Sequence, residues 1–201
     1  MVLPEPWVQP GPANNEIWYT SSDGNIVTPN NTSALPTIVS NTYVGSKGVI
    51  KFSTDVTSIG IRSFHRCSSL TSVTIPNSVT SIEEWAFAEC SSLTSVTIPN
   101  SVANIGNYAF YYCTSLTSIT IPNSVTNIRK RAFSYCSSFT SVTIPNSVTS
   151  IENGAFYGCS SLTSISYTGT IAQWNAIPKG SNWDRDIRTK VVHCTDGDAP
   201  I

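Results

Sequence analysis

The sequence predicts an α/β solenoid: a strand-rich, right-handed superhelix of stacked coils with one parallel sheet and short helical or 3₁₀ turns. Three observations carry this. A 23-residue step is marked by Cys67, Cys90, Cys113, Cys136 and Cys159. Phe64, Phe87, Phe110, Phe133 and Phe156 keep the same step, as do Leu70, Leu93, Leu116, Phe139 and Leu162. Between these marks the stretch TSVTIPNSVTSI recurs almost unchanged. A short fixed period means repeated turns that bury their apolar faces only by stacking.

Residues 1–15 are rich in Pro, Gly and Asn and read as a disordered lead or linker. Residues 16–47 read as an N-terminal β-hairpin cap. Asp23-Gly24 signals one hairpin, and the run Gly45 to Gly48 a second. Such strands would cover the open end of the solenoid, which otherwise exposes unpaired backbone groups. The repeats occupy residues 48–167. The first coil is degenerate, with Ile50 and Phe52 standing where later coils have Val73 and Ile75.

One unit shows why the chain coils. Val73 and Ile75 alternate around Thr74, the period of a strand. Pro76 ends the strand because it has no N–H to continue a ladder. Pro76-Asn77 suits a tight turn. Val79 and Ile82 return inward, and the spacing of Ala86, Phe87 and Cys90 suits one helical or 3₁₀ turn. Residues 168–201 break the repeat and read as a C-terminal cap. They hold a short helix with Trp174 and Ile177 facing inward, then a strand over TKVVHC.

Composition narrows the function. Charged residues are 11% of the chain and the net charge is −1. Electrostatics therefore gives no case for nucleic acid or an acidic membrane as partner. No apolar run is long enough to span a bilayer, and the first residues lack the basic start and apolar stretch of a signal peptide. The start reads as truncated.

The pattern Leu70-x-x-Val73-x-Ile75-Pro76, then Val79-x-x-Ile82, then Ala86-Phe87-x-x-Cys90, resembles the BspA-like leucine-rich repeat family. The match covers roughly residues 48–167 and involves several positions in every full coil. The resemblance implies a curved solenoid, secreted or displayed on a bacterial cell surface. It also implies adhesion to extracellular host or neighbouring-cell proteins, with no residue motif to carry that role over.

Candidate chemistry is sparse. Neighbouring coils place equivalent residues about 4.8 Å apart with parallel Cβ vectors, whereas a disulfide needs Cβ atoms about 3.8 Å apart and turned together. The five repeat cysteines are expected to form a buried thiol column, and Cys194 to be free. His65 and His193 lack metal-site spacing and read as exposed residues without a role. No nucleophile elbow or phosphate loop occurs. The expectation is no enzyme, no catalytic residue, no metal and no cofactor.

Two surfaces remain. Ser72, Ser95, Ser118, Ser141 and Ser164 should form one outward column, and Thr74, Thr97, Thr120 and Thr143 another. They keep a sheet soluble, and they lack the aromatic and Arg anchors of binding hot spots. The other surface is where coils differ, running from an acidic through an aromatic to a basic coil. Trp85, Tyr108, Tyr111, Tyr112, Arg129, Arg131 and Tyr135 are the candidate protein-binding residues there. The competing reading is drift, since solvent-facing slots tolerate almost any residue. Three functions follow: a protein-binding module, a rigid spacer, or carbohydrate recognition around Trp174 and Trp183.

Overall fold

The computed structural model describes residues 11–201. Each coil contributes a strand to one side and a two-residue strand to the other. The longer strands are β5 (Leu70–Thr74), β7 (Ser95–Thr97), β9 (Ser118–Thr120), β11 (Ser141–Ile144) and β13 (Ser164–Tyr167). The short ones are β4 (Ser58–Ile59), β6 (Ser81–Ile82), β8 (Asn104–Ile105), β10 (Asn127–Ile128) and β12 (Ser150–Ile151). Pairing is parallel and in step with the repeat, Ser72 beside Ser95 and Val73 beside Val96, and Ser118 beside Ser141 beside Ser164. Like therefore stacks on like.

Stacking makes the interior. Phe64, Phe87, Phe110, Phe133 and Phe156 form one line of parallel rings, with centroids 5.2, 5.4, 5.6 and 5.5 Å apart. None is more than 1% exposed. Beside them run the leucine-position side chains and the buried cysteines. Each later thiol donates to a phenylalanine carbonyl of the preceding coil, as Cys113 Sγ does to Phe87 O at 3.2 Å. All six cysteines are free. Burial pushes the Cys67 thiol up to about 11 and Cys159 to about 12.

The N-terminal end departs from the simple expectation. Of the expected lead 1–15, residues 1–10 lie outside the described residues. Asn14 and Asn15 accept backbone hydrogen bonds from Val56 and Phe52, both at 2.8 Å. Strand β1 (Glu16–Ser21) lies antiparallel between β3 (Lys47–Phe52) and β5. With β2 (Ile38–Val44) the order is β2-β3-β1-β5-β7. Only the second expected hairpin forms, β2 turning into β3.

After Asp23-Gly24 no strand pairs back on β1, because β3 and β5 already occupy both of its edges. Ile50 and Phe52 point inward as expected, yet β1 separates their strand from the parallel stack. Gly48 has a packing reason: a Cβ there would come within 2.1 Å of the Tyr19 ring.

At the other end, α1 (Ile171–Ala176) begins with a capping box between Thr170 and Gln173. It buries Trp174, while Ile177 closes it. Strand β14 (Val191–Cys194) adds parallel to β13, and β15 (Gly197–Pro200) turns back antiparallel. Both sheets are interrupted mid-stack: β7 is not laddered to β9, nor β8 to β10. Val96 and Ile98 are correspondingly only partly buried.

Candidate functional site

The bend after each short strand positions the variable side chains. Its N–H groups alternate in target. In the first bend, Ser63, His65 and Cys67 bond within the coil to Gly60, Arg62 and Phe64. Arg62, Phe64 and Arg66 bond instead to carbonyls of Glu84, Ala86 and Ala88 in the next coil. The spacing read from sequence as one helical turn is thus a series of three-residue-span turns welded to the next coil. Two of these turns need a left-handed residue at their third position.

That need creates two columns. Arg62, Trp85, Tyr108 and Arg131 occupy the first at φ 57, 59, 57 and 51°. Arg66, Glu89, Tyr112 and Tyr135 occupy the second at φ 61, 60, 59 and 60°. Gly154 and Gly158 take the same slots in the last full coil, at 65 and 72°. The cap continues both columns with Asn182 and Asp186, at 54 and 71°. Glycine adopts this conformation freely, whereas other L-residues are held there at a cost of about 1–2 kcal/mol each. The sequence reading missed this; Gly154 and Gly158 were its only signal.

From these slots the side chains lean along the stack. Trp85 lies flat on Tyr108, centroids 4.4 Å apart and 5° from parallel. Tyr111 meets both rings edge-on at 5.6 and 5.7 Å. It also touches Tyr112 at 5.2 Å and Tyr135 at 5.8 Å. Tyr135 continues to Tyr157 at 5.1 Å. The result is one aromatic strip crossing four coils. Arg62 sits over Trp85 at one end, and Arg185 over Tyr157 at the other. Burial pushes the Tyr111 phenol up, and the Tyr157 hydroxyl raises that of Tyr135.

Of the candidate residues, Trp85, Tyr108, Tyr111, Tyr112 and Tyr135 come together in this strip. Arg131 lies alongside, its Cγ 3.2 Å from where a Gly154 Cβ would stand. Arg129 does not join them: it pairs with Glu152 at 3.5 Å and lines a separate groove with Glu83, Glu84 and Asn107. Tyr157, Arg62 and Arg185 belong to the strip and were not among the candidates.

His65 is not idle. Its Nε2 is 3.2 Å from Glu89 Oε1, and its ring meets Trp85 edge-on at 6.0 Å. Arg66 Nε donates to the same carboxylate at 2.8 Å and holds Glu89 below its ordinary pKa. His193 pairs with Asp198 at 2.8 Å across β14 and β15. Trp174 and Trp183, the residues of the carbohydrate reading, are 1% and 7% exposed. Both are packed into the cap, with Lys179 over Trp174, so they present no ring face to a sugar.

Comparison with known proteins identifies the architecture. The BspA type leucine rich repeat region matches residues 37–163 in six copies. The chain belongs to the BspA-type leucine-rich repeat family. It is 38% identical to a leucine rich cell surface protein from Faecalibacterium prausnitzii, with a TM-score of 0.61 over 62% of this chain and 33% of that one. It is 30% identical to a leucine rich repeat protein of T. pallidum, with a TM-score of 0.55 over 65% of this chain and 64% of that one. The chain thus spans a third of the first protein's length and under two thirds of the second's. No curated protein matches it. A BspA-type repeat array is a protein-interaction scaffold. Among the described residues, no helix is long and apolar enough to cross a membrane.

Proposed function

We propose that this chain is the non-enzymatic, protein-binding part of a secreted or cell-surface protein. Its partner is an extracellular protein of a host or neighbouring cell, and the contact surface is the bend strip from Trp85 to Tyr135. One observation carries the reading. The chain places Trp, Tyr and Arg in left-handed slots where Gly154 and Gly158 are the relaxed solution. Drift alone would fill such slots with glycine or asparagine. Large aromatics and arginines are also the anchors most enriched in binding hot spots.

The test is binding of the labelled protein to host or neighbouring-cell surfaces, against a variant carrying Trp85→Ala, Tyr108→Ala and Arg131→Ala. The expected result is saturable binding that falls at least tenfold in the variant, with melting temperature changed by only a few degrees. Equal binding by both proteins would leave the rigid spacer as the better account.

A further inference from the structure

The strip ends in a cleft of different chemistry. Where the last full coil meets the cap, a cavity of about 350 Å³ opens on the bend side. Its walls are Lys130, Arg131, Tyr135, Asn153, Gly154, Tyr157, Ser181, Asn182 and Arg185. Lys130 and Arg131 come from one coil, while Arg185 reaches in from the cap. The repeat itself explains the space. In earlier coils the first left-handed slot carries a large side chain that covers the row before it. In the last coil that slot is Gly154, and the cap follows with the short Asn182. The row of large side chains stops there, and the cavity is what it leaves.

Charge in this cleft is one-sided. No wall residue carries a carboxylate. The nearby Glu152 is already engaged, its Oε1 to Arg129 at 3.5 Å and its Oε2 accepting from the Lys130 backbone N–H at 3.0 Å. Among the described residues, the side chains of Lys130, Arg131 and Arg185 form no ion pair. Around them stand neutral groups able to donate hydrogen bonds: the Tyr135 and Tyr157 hydroxyls, the amides of Asn153 and Asn182, and the Ser181 hydroxyl. Two guanidiniums with an ammonium suit an anion that presents several acceptor oxygens at once, as the three terminal oxygens of a sulfate ester do.

We propose that this cleft binds an anionic sugar, with a sulfate ester as the group held between Arg131 and Arg185. The neutral rim decides for a sugar over an acidic peptide. Amides and hydroxyls match ring hydroxyls, and the walls hold no aliphatic pocket for a peptide side chain. This recognition differs from the expected stacking on Trp174 and Trp183, because it uses charge and hydrogen bonds and needs no exposed ring face. It shares Arg131 and Tyr135 with the protein-binding strip, but Trp85 and Tyr108 do not line the cleft, so variants at those two residues tell the readings apart.

The experiment is calorimetric titration of the whole chain with a heparin hexasaccharide near physiological salt. Chemically desulfated hexasaccharide, which keeps its carboxylates, and a phosphoserine peptide serve as comparison ligands. Saturable binding to the sulfated sugar is expected, at least tenfold weaker for the other two. Arg131→Gln with Arg185→Gln should weaken it at least tenfold, while Arg129→Gln should change it less than twofold. Trp85→Ala with Tyr108→Ala should also leave it intact, which separates this site from the strip. The proposal is overturned by no saturable binding, by equal loss in Arg129→Gln, or by a double arginine variant that binds like the parent. Tighter binding of the phosphoserine peptide would equally overturn it.

Discussion

Two columns of side chains run along the repeats, one inside and one outside. The inner column is phenylalanine in all five coils, with adjacent rings 5.2–5.6 Å apart and dry. The outer column reads Arg62, Trp85, Tyr108, Arg131, Gly154, partly wet and set on left-handed backbone. Both obey the same rise between coils. The inner ring must fit neighbours on every side, so one residue satisfies all coils. The outer residue must fit only its neighbours in the stack, so identity is free to vary while position is not. Geometry common to both columns gives a fixed interior and a writable surface.

The buried thiols offer the largest test of the inner side. A thiol raised in the fold above its unfolded value of about 9 contributes stability that is complete below that pH and is lost as pH rises toward the folded value. Between pH 8 and 10 each buried thiol should therefore remove about 1 kcal/mol, and the five of the column together several. Urea midpoints at the two pH values measure this, and Cys113→Ala should lessen the loss by about one fifth. A midpoint flat across that range would mean the thiols are not held neutral by burial.

Next in size is Phe110→Ala in the middle coil. It should cost about 3–5 kcal/mol and lower the melting temperature by about 6–20 °C. Tyr112→Gly, in the second left-handed column on the outside, should cost far less than its size suggests. Relief of left-handed strain, about 1–2 kcal/mol, offsets lost ring contacts of about 0.5–1.5 kcal/mol. The net change should stay within about 1 kcal/mol. A large loss there would erase the distinction between the two columns.

The smallest effect concerns Glu89. Its pKa is depressed by Arg66, so its contribution is present above the ordinary carboxylate range and lost as pH falls through the lowered value. The pair is partly exposed, and Glu89→Gln should remove only a slight acid-side slope in thermal stability, best seen at low salt.

How much was legible follows the same division. Register, the phenylalanine line and the thiol column were readable because one residue type repeats at one step. The interleaving of β1 between β3 and β5 was not, since antiparallel order depends on which edges are free and no repeat encodes that. The left-handed slots were hidden because Trp, Tyr, Arg and Glu disguise them; only Gly154 and Gly158 betray the backbone. The cap's continuation of the bend was hidden by its longer step, which carries Asn182, Trp183 and Asp186 out of alignment with the repeats. At the site, adjacency of Trp85, Tyr108 and Arg131 followed from stacking. The exclusion of Arg129 did not, because it rests on the ion pair with Glu152.

The alternating bonds of the bend have a genetic consequence. Along the bend each coil gives three N–H groups to the next, and this set of bonds recurs with the same polarity at every junction from the first bend to the cap. A gene duplication of one whole unit would splice a fresh rung into the middle of the ladder without disturbing either end piece. Each such event would also add two new outward letters, spelled independently of those already present. Length and recognition could then evolve by copying and editing rungs, with the interior left unaltered.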